Sequence, residues 1–147
     1  MSDFMINLFK PIVLFALFLQ VGCTDAIYEQ PSDKYPFKSQ MVKLLESDIE
    51  IIDSLHKAEV QISYFELPKN SNKIESVVNL LKQDGWVLKG KGQGVDTYCL
   101  GLNNRVNIVV PVFGGLYDFK GGKLSRTDYS VNAVLYSYDK WGDDLCE

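Results

Sequence analysis

Residues 129–138 read Tyr-Ser-Val-Asn-Ala-Val-Leu-Tyr-Ser-Tyr. Along an extended chain successive side chains point to opposite faces, so Tyr129, Val131, Ala133 and Leu135 share one face and Asn132, Val134, Tyr136 and Tyr138 the other. The stretch is rich in β-branched and aromatic residues and reads as a strand over about 127–138.

The same period of two extends back towards Trp86. Gly114-Gly115 and Gly121-Gly122 bracket a short strand or loop that holds Leu116, Tyr117 and Phe119. Before it, Val106, Ile108 and Val110 alternate up to Pro111, and Asn103-Asn104 is a candidate tight hairpin turn after Val95, Thr97 and Cys99. Gly90-Lys91-Gly92-Gln93-Gly94 separates that strand from one begun by Trp86 and Leu88.

Upstream of Trp86 the period changes. Met41, Leu45, Ile49, Ile52 and Leu55 recur at three- and four-residue steps, which predicts an amphipathic helix over about 38–57. Val60, Ile62 and Tyr64 then alternate with polar residues towards Pro68 and predict a strand. Asn72 with Glu75 three residues later resembles a capping box. Ile74, Val77, Val78 and Leu81 form the stripe of a second helix, and Gly85 stops it. The expected fold is α+β, with two amphipathic helices packed on one face of a mostly antiparallel β-sheet, a meander.

With 147 residues, the chain has room for one domain. At 46% hydrophobic and 12% aromatic residues, it can bury a core and is not a disordered chain. Its net charge of −4 argues against a nucleic-acid partner, whose phosphates require a basic patch.

Pro11 to Leu19 is an uninterrupted apolar run, shorter than the about 20 residues that span a bilayer. Lys10 precedes it as a positive n-region, the pattern of an export signal. Asp3 is out of place in such a region, and reading from Met5 gives a cleaner leader. Leu19-Gln20-Val21-Gly22-Cys23 follows and resembles the lipobox of bacterial lipoproteins, with Gln20 standing where Leu is usual. The resemblance covers the leader alone. It implies cleavage before Cys23, acylation of that thiol and a membrane-lipid anchor. It divides the chain into a signal peptide (1–22), a tether (23–37), with Tyr28, Tyr35 and Phe37 docking at its end, and one domain (38–147). The competing readings are an ordinary signal peptide or a short anchor, with Cys23 a bystander. In Gram-negative lipoproteins Asp directly after the cysteine favours the inner membrane. Thr24 stands there, which favours the outer membrane, periplasmic face, for such a host.

The chain holds three cysteines, an odd number. Giving Cys23 to lipid leaves Cys99 and Cys146 to pair, as an exported protein permits, or to remain two thiols. A Cys99–Cys146 bridge would pin the polar C-terminal tail.

The residue patterns supply little chemistry. His56 is the one histidine, which excludes a zinc site built from several imidazoles and makes no nucleophile elbow. The GxGxG spacing of Gly90, Gly92 and Gly94 lies between strands rather than at a helix start, so it reads as a hairpin loop and not a dinucleotide site. Glu46, Asp48, Glu50 and Asp53 read as a solvated helix face, with Lys43 and Lys57 as partners. No cofactor or metal is implied. Tyr117, Phe119, Tyr136, Tyr138 and Trp141 cluster late in the chain as a candidate interface, the competing reading being core packing.

These features suggest a non-catalytic, lipid-anchored envelope protein that binds another envelope or periplasmic protein. In layout alone, it is loosely similar to small outer-membrane assembly lipoproteins of the BamE type. The alternative is a periplasmic inhibitor or immunity protein that blocks a hydrolase or toxin, with Gly90–Gly94 as a projecting loop.

Overall fold

The run at 131–139 lies in the interior of a six-stranded antiparallel sheet. The computed structural model describes residues 31–46, 49–125 and 128–147. Helix α1 (Phe37–Leu45) is followed by strands β1 (Ile52–His56) and β2 (Val60–Pro68), then helix α2 (Lys73–Gln83). Strands β3 (Val87–Lys91), β4 (Val95–Leu100), β5 (Asn104–Val109), β6 (Leu116–Tyr117), β7 (Lys123–Leu124) and β8 (Val131–Asp139) complete the chain. The sheet order is β1-β2-β8-β5-β4-β3, with β6 and β7 forming a separate two-stranded hairpin. The fold is α+β. The order departs from a plain meander, because β8 returns to lie between β2 and β5 and joins the early hairpin to the β3–β5 meander.

The helix ends at Leu45, and Ile52–His56 of the expected first helix forms a strand instead. Glu46 takes φ +57 after Leu45 and ends α1. Ile52 to His56 instead pairs with Gln61 to Tyr64. The apolar spacing at 45, 49, 52 and 55 fits a helix, but β-branched Ile49, Ile51 and Ile52 also suit a strand, and a partner strand lies a short turn away. Asp53 reinforces the pairing, accepting a hydrogen bond from the Ser63 hydroxyl at 2.6 Å and one from the Lys38 ammonium at 3.2 Å. Glu46, Glu50 and Asp53 therefore do not share a helix face. Glu46 caps α1, Asp53 lies in β1 and Asp48 falls outside the described residues. His56 closes β1 rather than a helix.

Helix α2 forms where expected and ends as the sequence requires. Gly85 sits at φ +87 and donates to the Lys82 carbonyl at 3.2 Å, while the Trp86 amide reaches the Leu81 carbonyl at 2.9 Å. Those paired bonds satisfy the last carbonyls of the helix and need a residue free of Cβ strain. The start differs from expectation. The Asn72 side chain makes no capping hydrogen bond, and the Ser71 hydroxyl accepts from the Lys73 amide at 3.1 Å instead.

The β4–β5 turn is Gly101-Leu102-Asn103, with Gly101 at φ +64. Asn104 is not part of it. It opens β5 opposite Leu100, with its side chain buried.

Along β8, Val134, Tyr136 and Tyr138 enter a buried cluster with Phe37, Met41 and Leu45 of α1, Val77 and Leu81 of α2, and Phe65 and Leu67 of β2. Phe37 stacks on Tyr136 with ring centroids 4.7 Å apart. Ala133, on the other face of β8, joins a smaller cluster with Val95, Val109 and Leu116.

Candidate functional site

Two places combine built geometry with solvent access, and both are organised by β8 and β5. The first is the clasp that holds the lead-in segment, residues 31–36. The Asn104 side chain Oδ1 accepts the Tyr35 amide and the Tyr136 hydroxyl, each at 2.9 Å. Its Nδ2 donates to the Asp33 carbonyl at 2.8 Å and the Leu100 carbonyl at 3.2 Å. One amide thus satisfies all four of its hydrogen-bonding positions in the interior. Around it, the Asp33 carboxylate accepts from Asn103 Nδ2 at 2.5 Å and from the Tyr138 hydroxyl at 2.9 Å. The Asn103 amide is the main cause that holds the Asp33 carboxyl below its ordinary range. Burial, then the Asp33 carboxylate, push the Tyr138 hydroxyl up to about 12. Tyr35 also donates to Asp84 at 2.5 Å, so the lead-in is tied to the end of α2 as well.

The second place is the Leu135 face of the sheet. Antiparallel partners share a face, so the register aligns Ile52 and Tyr64, Ile62 and Ser137, Tyr64 and Leu135, and Glu66 and Ala133. Part of this face is roofed. The β6–β7 hairpin lays Leu116 over Val95, Val109 and Ala133. The C-terminal tail covers the β4–β5 side through the Cys99–Cys146 disulfide. Arg105 Nη1 donates to Asp143 at 2.9 Å and clamps the tail further. Roof and tail meet where the Lys120 ammonium donates to the Asp144 carbonyl.

Ile52 and Ile62 on β1 and β2 each keep 41% exposure, and Tyr64 and Leu135 are half-buried. The stripe runs into a pocket of about 390 Å³ at the edge of the roof, lined by Tyr64, Glu66, Val109, Leu116, Leu124, Ser125, Ala133 and Leu135. That volume lies in the range of about 300–1,000 Å³ typical of ligand sites. Its walls are mainly apolar, with a carboxylate and two hydroxyls, so it suits an apolar side chain or a small apolar ligand.

The aromatic residues singled out from the sequence separate. Tyr136 and Tyr138, read from the sequence as part of a candidate interface, are buried at 1% and 0% exposure, as the competing core-packing reading has them. Their hydroxyls are served internally, which lets tyrosine stand in the core. Tyr117 and Phe119 are half-buried in the roof. Trp141 remains 71% exposed. At the end of the lead-in, Tyr35 and Phe37 are buried. Cys23 and Tyr28 lie outside the described residues.

Gly90–Gly94 is not a free projecting loop. A Cβ on Gly90 would stand 2.4 Å from the Phe119 ring, and one on Gly92 would stand 2.0 Å from the Tyr117 carbonyl oxygen. These glycines form the floor on which the roof segment rests. The loop that does project holds Phe113, fully exposed, between Val112 and Gly114.

His56 lines a shallow depression with Lys34, Tyr35, Pro36, Phe37, Lys38, Ser39 and Gln61, none of them a carboxylate. Among the described residues, no group of three or more His, Cys, Asp or Glu side chains is placed to hold a metal ion.

The missed residues are Ile52, Ile62, Tyr64, Leu135 and Phe113. Ile62, Tyr64 and Leu135 were visible as alternating residues, but alternation does not say which face receives the helices. Comparisons with protein-family models, curated proteins and solved structures find no match to this chain.

Proposed function

We propose that this chain is a non-catalytic, lipid-anchored cell-envelope protein that binds another envelope or periplasmic protein. In this reading Cys23 carries the acyl anchor, both helices cover the Tyr136 face of the sheet, and the Leu135 face is left for the partner. The observation that supports it is the apolar stripe of Ile52, Ile62, Tyr64 and Leu135 leading into the pocket beside Leu116 and Leu124. Exposed apolar side chains that are contiguous, rather than scattered, mark interaction surfaces. The pocket at the end of the stripe is the kind of recess that takes a partner's anchoring side chain.

A photo-crosslinking residue placed at Ile62 or Leu135, in cells of the source bacterium, is expected to give one discrete adduct. The same residue at Lys43, on α1, is expected to give none. Adducts of equal yield at both places, or none at either, would refute the binding surface.

A second reading has its own support. The Phe113 loop, rather than Gly90–Gly94, presents a fully exposed aromatic tip, a feature that an inhibitor plugging a hydrolase or toxin cleft would need. A crosslinker at Phe113 that captures a hydrolase, with Ile62 silent, would favour this inhibitor reading.

A further inference from the structure

Cys23 and Pro31 are eight residue steps apart, so a lipid on Cys23 lies at most about 28 Å from Pro31. Pro31 enters the fold at one particular end of the sheet. Asp33 is held by Asn103 and Tyr138, next to the Gly101–Asn103 turn. The turn that follows β8 lies beside it, joined by the Asp139 amide to the Asn103 carbonyl at 3.0 Å and the Asp143 amide to the Leu102 carbonyl at 2.8 Å. Each of those two turns carries an exposed large apolar side chain, Leu102 at 58% and Trp141 at 71%. Phe113 lies at the opposite end of β5, five residue steps or about 17 Å further along the strand and beyond.

We propose that Leu102 and Trp141 form a lipid-contact surface that seats the anchor-proximal end of the domain on the bilayer interface. The proposal rests on the lipidated reading of Cys23. Indole rings favour the headgroup boundary, where the ring is shielded and the N–H stays wet. Two side chains alone hold a free protein weakly, but a short tether raises their effective concentration at the surface to about the millimolar range. Charges of both signs share this end, with Lys34 over the Tyr138 ring and donating to the Lys57 carbonyl, the Asp33 carboxylate accepting from Tyr138, and Lys140 3.7 Å from Glu59. The contact is therefore apolar rather than a response to anionic lipid. The clasp around Asn104 makes it directional, because it fixes the side of the domain from which the tether leaves. The stripe on the Leu135 face and the Phe113 tip then stay clear of the membrane.

The test uses the full chain, purified in acylated form and reconstituted in phosphatidylethanolamine bilayers carrying a headgroup-region spin-labelled quencher. Subtracting the emission of Trp141→Phe from that of the unaltered protein isolates Trp141 from buried Trp86. Trp141 emission is expected to shift to shorter wavelength and be mostly quenched, equally with or without phosphatidylglycerol. A tryptophan introduced by Phe113→Trp is expected to be unaffected. Unquenched Trp141 on a protein whose Cys23 carries acyl mass would overturn the docking surface and leave the anchor standing. Quenching at position 113 in place of 141 would overturn the orientation. Absence of acyl mass on Cys23 would overturn the anchor reading and this inference with it.

Discussion

Asn104 Oδ1 lies 2.9 Å from the Tyr136 hydroxyl, with both residues buried, and the same oxygen accepts the Tyr35 amide. This joins the lead-in segment to the two central strands by side-chain chemistry rather than by sheet pairing. This bond to Tyr136, with the Asp33 carboxylate accepting the Tyr138 hydroxyl at 2.9 Å, lets both tyrosines stand in the buried cluster.

Asn104→Leu is expected to destabilise the protein by about 2–4 kcal/mol, because it leaves the Tyr35 amide unpaired and strips Tyr136 of its better acceptor. Urea unfolding measures the loss. Asn103→Ala, at the exposed Asp33 contact, is expected to cost less than about 1 kcal/mol. Equal effects at the two positions would contradict the clasp.

Stability is expected to fall above about pH 10, where free tyrosine ionises. Burial raises Tyr136, Tyr138, Tyr35 and Tyr98, with Tyr138 at about 12. The folded protein therefore keeps protons that the unfolded chain releases, and the stabilisation is complete below pH 10 and lost as pH rises through the folded values. Asp33 and Asp53 are held low and act at the other extreme, losing stabilisation as pH drops below about 4. Thermal melts across pH 3–12 should show both shoulders. A flat alkaline limb would count against the buried tyrosines.

Reducing the Cys99–Cys146 disulfide, whose partners are separated by 47 residues, is expected to cost about 4 kcal/mol on the loop-entropy scale. The C-terminal tail should lose amide-exchange protection first, at Asp143 and Cys146. An unchanged urea midpoint in Cys146→Ser would show that the tail does not need the bridge.

Gly92→Ala and Gly101→Ala separate two uses of glycine. At Gly101 a Cβ meets nothing within 4 Å, so only the left-handed φ of +64 is penalised, by about 1 kcal/mol. At Gly92 it would collide with the Tyr117–Asp118 backbone. The loss there is expected to exceed about 2 kcal/mol and to loosen the β6–β7 roof. Comparable costs at both would contradict the roof's close approach.

The strands were legible wherever alternation coincided with glycine or proline punctuation, as at Val106–Pro111 and Val131–Tyr138. The Cys99–Cys146 pair is one of two readings of the odd count, the other being two free thiols, and the disulfide agrees with the first. Residues 46–57 misled because isoleucines at 49, 51 and 52 satisfy a helical stripe and a strand at once, and only pairing with β2 decides between them. The face of β8 misled for a different reason. Both of its sides are apolar, and the assignment depends on Asn104 and Asp33 receiving the tyrosine hydroxyls, a relation between residues 33, 104, 136 and 138 that no local period contains. Phe113 carries no sequence signal, because a single aromatic in a Pro-Val-Phe-Gly-Gly loop has no pattern to break.

The most direct measurement of the proposed anchor is mass spectrometry of the N-terminal peptide of the protein isolated from the membrane fraction of its source organism. The account predicts a peptide that begins at Cys23 and carries two or three acyl chains, with Cys23→Ser abolishing the modification. A mature chain that begins elsewhere, or that retains an unmodified Cys23, would contradict it.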